Sequence, residues 1–558
     1  MRRVAVALLV LAVVLPQTAA ATTQVATSQF RAFWVDAFGD GIFNEAQVDK
    51  LVAAAQAANV NALVVQVGRR GDCFCNRASM PRTQAAIAPN PYDPLDAVIR
   101  KAHAAGIQVH AWIITTAMWN SSTPPRDPRH AFNLHGPTAT GYDNWLGVRY
   151  DGALREGTSP SANWFFDPGH PDAAAYIAEM FLSVARNYDI DGLNFDRVRY
   201  PDLQVAPWPN DSAWGYSAVA LARFAAATGR TDVPRPNDLQ WQQWRRDQVT
   251  NIVRKVYVEA WAIKPHLRVS ADTITYGAGP QELGGWEQSR PYRETLQDWR
   301  GWLEEGILDT NIPMNYKREH LLDQRTWYEE WNDFAKEHQY GRSTTVGSAL
   351  YLNTIPNSVI QVRKALAPSA AGRSGIGWVG YSYRTPDDRA NAGTRTGDAS
   401  RAELTRALTQ SSEYDPQTPP VFELPASVPD MAWVSAPTRG HLAGTVMTNT
   451  GIPFDQIRVE LRDPETDALL ASRLTDGSGY FAFVDLVPGR YKVFVPDDAR
   501  ATGKRVALAN VSAGAVSRVE ITPFAKGAEG RRPPRASTPG FVPQEDPEQS
   551  GWEPNGAR

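Results

Sequence analysis

The sequence predicts an α/β fold, a (β/α)8 TIM barrel, followed by a small all-β sandwich domain. Three observations carry this. Between residues 28 and 411, eight short apolar runs alternate with eight amphipathic ones, the pattern of strands and crossover helices in a parallel sheet. No Gly-rich phosphate loop follows the first strand, which favours a closed barrel over a doubly wound open sheet. After a Pro-rich linker at 412–437 the apolar period falls to two, and short strands divided by Gly, Pro and Asp turns fill 438–524. A chain of 558 residues is also too long for a single core.

Residues 1–21 read as a signal peptide: Met1-Arg2-Arg3 is the basic flank, Val4 to Leu15 the apolar stretch, and Thr18 to Ala21 the small residues for cleavage. The apolar run is short for a membrane span, and no later stretch suits one. Phe30 to Phe38 is the first strand. Asn44, a helix cap, opens a helix to Asn59 with Val48, Leu51, Val52 and Ala55 on one face. Asn61 to Val67 is the second strand, and Tyr92 to Ala105 a helix stopped by Gly106. Ile107 to Ile113 is the third strand. A long polar and aromatic connection, Thr115 to Pro168, leads to a helix at Pro171 to Tyr188.

The fourth strand, Gly192 to Phe195, runs into Asp196-Arg197-Val198-Arg199-Tyr200-Pro201, where polar chemistry is densest. An insertion, Asp202 to Asp238, holds a helix near Trp214 to Ala227, and Leu239 to Ile263 is a long helix. Four more pairs follow: strand 267–272 with helix 292–305, strand 308–316 with helix 320–338, strand 344–350 with helix 355–366, and strand 375–381 with helix 401–411. Six sandwich strands are expected at 441–447, 456–462, 468–474, 480–486, 490–495 and 516–521. The tail at 525–558, rich in Pro, Gly, Arg and Glu, is expected to be disordered.

Composition narrows function. A net charge of −3 with mixed signs carries no footprint of nucleic-acid binding. Nine His with no HExxH and no His pair near a carboxylate predict neither a catalytic metal nor a cofactor, and no G-x-S-x-G follows a strand. Cys73 and Cys75 are the only cysteines, and a bridge stiffening one loop is the favoured reading in an oxidising compartment. Eighteen Trp, sixteen of them before residue 411, suit sugar stacking, though most of those on helices are expected to be core.

Barrel sites form where strands end. Those ends offer Asp36, Gln66 with Arg69, His110 with Trp112, Asp196, Asp272, Asn315 with Tyr316, Tyr351, and Trp378. Glycoside cleavage needs one ionised carboxyl at the oxocarbenium-like centre and one protonated carboxyl for the leaving oxygen. Asp196 is assigned the first role and Asp272 the second. The other named residues, with Asn194, Arg197, Arg199 and Tyr200, are candidate substrate contacts, Trp112 and Trp378 as stacking surfaces. Each also has a plainer reading: Asp196 paired with Arg197 or Arg199, Asp36 bracing a loop, Asp272 tying a neighbouring strand end, His110 in the core.

Several blocks resemble the glycoside-hydrolase-like family 10. They are Arg31-Ala32-Phe33-Trp34-Val35, Val65-Gln66-Val67 leading to Gly71-Asp72, and Tyr92-Asp93-Pro94-Leu95. They continue with Ala102-His103 through Val109-His110-Ala111-Trp112, Asp167-Pro168-Gly169-His170-Pro171, and Tyr188-Asp189-Ile190-Asp191-Gly192 through Phe195-Asp196-Arg197 to Arg199-Tyr200-Pro201. The resemblance implies a secreted or cell-envelope barrel acting on a polysaccharide, and some relatives look like enzymes cutting peptidoglycan glycan strands stripped of peptides. Cys73, Cys75 and the block Ser270 to Ile274 depart from the family's form. Gly444-Thr445-Val446, Thr475 to Phe483 and Leu486 to Val493 resemble carboxypeptidase regulatory-like (prealbumin-like) domains, which implies a spacer or attachment to a cell wall or surface. The expectation is an exported glycoside hydrolase. A non-catalytic glycan-binding envelope protein is the alternative, and a lyase is a third reading.

Overall fold

The computed structural model describes residues 28–525 apart from 160, 204–207, 418, 499 and 504. The signal peptide at 1–21 and the tail at 525–558, Ala525 excepted, lie outside the described residues. Eight parallel strands close into a barrel in chain order: β1 (Phe30–Val35), β2 (Ala62–Gly68), β3 (Gln108–Ile114), β4 (Gly192–Asp196), β5 (Arg268–Ile274), β6 (Thr310–Met314), β7 (Ser343–Ala349) and β8 (Gly377–Tyr381). The helices α1 (Glu45–Ala57), α2 (Pro94–Ala104), α3 (Pro171–Asn187), α4 (Leu239–Ile263), α5 (Trp299–Glu305), α6 (Leu322–Glu337), α7 (Ile355–Leu366) and α8 (Gly397–Thr409) surround it. Among the described residues no helix is long and apolar enough to cross a membrane.

Every barrel strand is buried on both faces, so only strand parity separates interior from helix-facing side chains. Phe30, Ala32 and Trp34 of β1, Ala62 and Val64 of β2, Trp112 of β3, Ile312 of β6, and Val379 and Tyr381 of β8 form one interior cluster. The opposite parity, such as Phe33, Leu63 and Trp378, joins the core under the helices.

The blocks shared with the family mostly build the scaffold. His103 Nε2 lies 2.8 Å from Asp191 Oδ2, which also accepts the Val109 N–H (2.7 Å) and so ties α2 and β3 to the start of β4. Asp167 accepts from the Gly169 N–H (2.8 Å), and His170 caps α3 through Nδ1 while its Nε2 lies 2.8 Å from the Tyr142 carbonyl. Gly192 admits no side chain: a Cβ there would lie 2.2 Å from His110 Nδ1 and 2.7 Å from the Arg268 carbonyl. Gly192→Ala is therefore expected to cost about 3 kcal/mol, the upper end for overpacking because a backbone oxygen is among the obstacles, and urea unfolding will measure it.

Some elements differ from expectation. The helix expected at 292–305 breaks, because Leu296 takes a left-handed φ of 57° and Asp298 caps a fresh start at α5. The insertion helix begins at Ala218, capped by Ser217, not near Trp214. The Pro-rich segment lies across the N-terminal opening of the barrel. Ser427 accepts the Gln29 N–H (3.0 Å), Arg31 and Arg268 donate to the Leu424 and Pro429 carbonyls (both 2.6 Å), and Asn61 donates to Ala426 (2.8 Å).

The C-terminal strands are β9 (Gly440–Val446), β10 (Arg458–Arg462), β11 (Leu469–Leu474), β12 (Tyr480–Leu486), β13 (Gly489–Phe494), β14 (Val506–Val511) and β15 (Val516–Ile521). They form two sheets, β12-β9-β15 and β11-β10-β13-β14, around Leu442, Val459, Phe481 and Val493. Strand β14 was not expected. It turns Ala509 inward and Leu508 outward, which weakens its apolar alternation.

Candidate active site

The interior parity carries the chemistry to the C-terminal mouth. Trp34, Gln66, Trp112, Ile114, Asp196, Asp272, Ile274, Met314 and Tyr381 line it from the strands, Tyr316, Lys317, Arg318 and Tyr351 from beyond the strand ends, and Phe38 and Trp327 at the rim. Asp196 and Asp272 are the two carboxylates among these lining residues. Each is held by one indole: Trp112 Nε1 donates to Asp196 Oδ2 (3.1 Å) and Trp34 Nε1 to Asp272 Oδ1 (3.2 Å).

The environments of the two differ. Burial raises Asp196, but Arg197 and Arg199 beside it oppose that rise, as do the Trp112 and Arg197 N–H groups. Burial raises Asp272 well above the carboxylate range, and the charge of Asp196 raises it further; only the neutral donors Asn194 and Trp34 oppose. Two interacting carboxyls titrate as a pair. Asp272, with only neutral donors opposing its rise, holds a proton more firmly than Asp196, whose charge Arg197 and Arg199 favour. The backbone at Arg197 is left-handed, with φ 48°, and Thr116 Oγ1 donates to the Arg197 carbonyl (2.8 Å). That strained turn sets the angle at which the chain leaves Asp196.

Several other sequence-predicted residues meet here. Gln66 lines the mouth while its Oε1 accepts the Ala37 N–H (2.9 Å). Asn194 sits one interior position before Asp196 and accepts from Ser270 (2.7 Å). Arg197 and Tyr316 line the mouth, as does Arg199, whose guanidinium is clamped on Asp202 (3.0 and 3.1 Å). Asp36 lies just behind the mouth lining, bound by Ser382 (2.8 Å) and Arg384 (2.9 Å), a loop brace. Arg69 stands behind Phe38 and donates to the Ala37 carbonyl (2.9 Å).

Four expected contacts lie elsewhere. Trp378 faces away from the barrel axis: it is fully buried beside Phe33 and Phe422 and donates to Ser348 (3.0 Å). Asn315 likewise faces α6, donating to Tyr328 O (2.8 Å) and Asn332 Oδ1 (2.9 Å). His110 has the interior parity but sits at the barrel's base, edge-on to Phe30, and burial lowers it to about 4. Tyr200 turns back to Asp167 (3.4 Å) under the insertion.

Trp34, Tyr381, Lys317, Arg318, Phe38 and Trp327 were not singled out as contacts from sequence. Parity could have found the first two, which share the interior row with Trp112 and Asp196. Lys317 is buried, donates to the Thr275 carbonyl (2.6 Å), and is lowered to about 7 by burial and then by Arg290. Cys73 and Cys75 are bridged in the loop after β2, with Cα atoms 5.0 Å apart. Among the described residues no group of three or more His, Cys, Asp or Glu is placed to hold a metal ion.

A parallel (β/α)8 barrel with paired carboxyls at the ends of β4 and β5 is a glycosidase-like barrel. The glycosyl hydrolase-like 10 family model matches residues 25–363, more than half of the chain, and the chain belongs to that family. It is 23% identical over 279 residues to the glycosyl hydrolase YngK of Bacillus subtilis (strain 168), covering 48% of each chain. It is 24% identical over 282 residues to the glycosyl hydrolase DigH of Escherichia coli (strain K12), covering 49% of this chain and 58% of that one. The match thus spans about half the length of these relatives. Among solved structures, the PgaB glycoside hydrolase domain of Bordetella bronchiseptica aligns with a TM-score of 0.43 and 15% identity, over 67% of this chain and 98% of that one. The β-amylase catalytic domain from Paenibacillus polymyxa aligns with a TM-score of 0.45 and 12% identity, over 68% and 98%.

Proposed function

We propose that this protein is an exported glycoside hydrolase that cleaves O-glycosidic bonds of a cell-wall or extracellular polysaccharide, with peptidoglycan glycan strands as one candidate substrate. The observation that carries this is the asymmetric carboxyl pair in one aromatic-walled mouth: Asp196 has Arg197 and Arg199 beside it, and Asp272 only the neutral Trp34 and Asn194. Asp272 gives its proton to the leaving oxygen. Asp196 attacks the anomeric carbon or stabilises its developing positive charge. Trp34, Trp112, Tyr316 and Tyr381 supply the flat apolar faces that sugar rings pack against. The leader-like residues 1–21 support export. Attachment to a wall or surface through the C-terminal sandwich rests on the resemblance of Gly444-Thr445-Val446, Thr475 to Phe483 and Leu486 to Val493 to carboxypeptidase regulatory-like domains.

The test is the release of new reducing ends from purified polysaccharide, followed against pH. Activity needs Asp196 ionised and Asp272 protonated. It rises as Asp196 loses its proton and falls as pH passes the raised value of Asp272. Both limbs therefore lie on the alkaline side of an ordinary Asp. Tight binding with no reducing ends over long incubation would instead make this a glycan-binding protein, and an unsaturated-sugar product would make it a lyase.

A further inference from the structure

Behind the mouth lining stand two cations, Arg69 and Arg70, that the two carboxyls do not account for. The guanidinium carbons of Arg69 and Arg70 lie 5.9 and 5.8 Å from the centre of the Phe38 ring, and both Phe38 and Arg197 line the mouth. Arg70 is pushed down to about 9, first by burial and then by the charge of Arg69, with Arg197 adding to it, so the three cations repel one another.

Two carboxylates stand nearby, and neither closes on Arg69 or Arg70. Asp72 is committed to Thr83 Oγ1 (2.6 Å) and to the Arg70 N–H (3.3 Å). Glu156 accepts from Asn163 (3.0 Å) and lies 3.7 Å from Arg197. Arg70 spends its Nε on Asn163 Oδ1 (3.1 Å). Among the described residues Arg69 and Arg70 have no ion pair, and the buried Arg69 Nε and Arg197 Nη1 have no acceptor. Arg69 and Arg70 close no ion pair of their own and stand against Phe38, which with Arg197 lines the mouth; guanidinium groups so placed match a planar or tetrahedral oxyanion, which accepts two N–H bonds from one fork.

We propose that Arg69, Arg70 and Arg197 form a subsite for an acidic substituent of the glycan, a carboxylate or a sulfate ester, beside Phe38 at the rim. This rests on the reading of the mouth as a glycan site. Phe38 packs the sugar ring, and the arginines take the charged group that the ring carries.

The test uses the full chain as its Asp196→Asn variant, which stops turnover, in calorimetric titrations at low salt. The probes are an N-acetylglucosamine hexasaccharide, its 6-O-sulfated form, and a hyaluronan hexasaccharide before and after reduction of its carboxyls to alcohols. An acidic probe is expected to bind about 10-fold more tightly than its neutral partner, and whichever acidic probe does so names the group. That advantage should fall about 10-fold on adding Arg69→Gln or Arg70→Gln, while the neutral partner binds as before, which also reports a folded mouth. Equal affinity for acidic and neutral probes overturns the subsite alone, as does an advantage that survives both Gln substitutions. If none of the probes binds, the glycan reading fails and the subsite falls with it.

Discussion

Asp196→Asn is expected to lower turnover about 10⁴-fold or more, and Asp272→Asn about 10²–10⁴-fold, with the fold intact in both. The two losses are separable by the leaving group. A glycoside whose departing group is already acidic, such as a dinitrophenol, needs no proton from Asp272. On that substrate Asp272→Asn should recover most of its rate, and Asp196→Asn should recover none. The Asp196→Asn variant also removes the charge that helps raise Asp272, so the basic limb of whatever pH profile remains should move down. Stability gives a second readout. Both carboxyls are buried, and burial raises both only in the folded protein, a cost that an Asn does not carry, so either Asn variant should unfold at the same temperature as the wild type or higher. Recovery of both variants on the activated substrate, or of neither, would sink the division of labour between the two.

The sequence showed the barrel well because its signal is repeated: eight apolar runs at regular spacing survive an error of two residues at any one end. The candidate site is harder to read, since one residue of error reverses which way a side chain points. Asp196, Asp272, Trp112 and Gln66 share the interior parity and meet at the mouth. Trp378 and Asn315 are one residue out of phase and face the helices instead. In half-exposed strands polar residues would mark the phase. Here every strand is buried on both faces, so the phase leaves almost no trace in composition. Depth misleads separately. His110 has the correct parity but lies one pleat below Trp112, at the base. The family-like blocks around His103, Asp191, Asp167 and His170 do scaffold work instead: His103 and Asp191 tie α2 and β3 to β4, Asp167 holds the Gly169 N–H, and His170 caps α3.

Arg223→Ala should destabilise the whole chain by about 3 kcal/mol, near the low end for breaking a buried ion pair. Arg223 lies on the insertion helix and is almost fully buried. It grips Asp455 of the sandwich with two bonds (2.6 and 2.7 Å) and donates to the Gly169 carbonyl (2.6 Å) at the start of α3. Asp455 keeps 28% of its side chain exposed and can rehydrate in part, which holds the loss to the low end. The same interface carries Arg342–Asp485 (2.7 Å), Arg518–Glu259 (2.7 Å), and Glu305 between Arg254 and Arg473. Trp261 of α4 donates to Gly514 of the sandwich (3.1 Å). These bonds span positions hundreds of residues apart in the chain, so heat should unfold barrel and sandwich in one transition. The double variant Arg223→Ala with Asp455→Ala decides what the pair does. If the loss comes from stranding Asp455, the double variant will be more stable than Arg223→Ala alone. If the loss comes from Gly169 and the start of α3, the double variant will be no better, and Arg223 will be a scaffold residue of the barrel that the sandwich has merely joined.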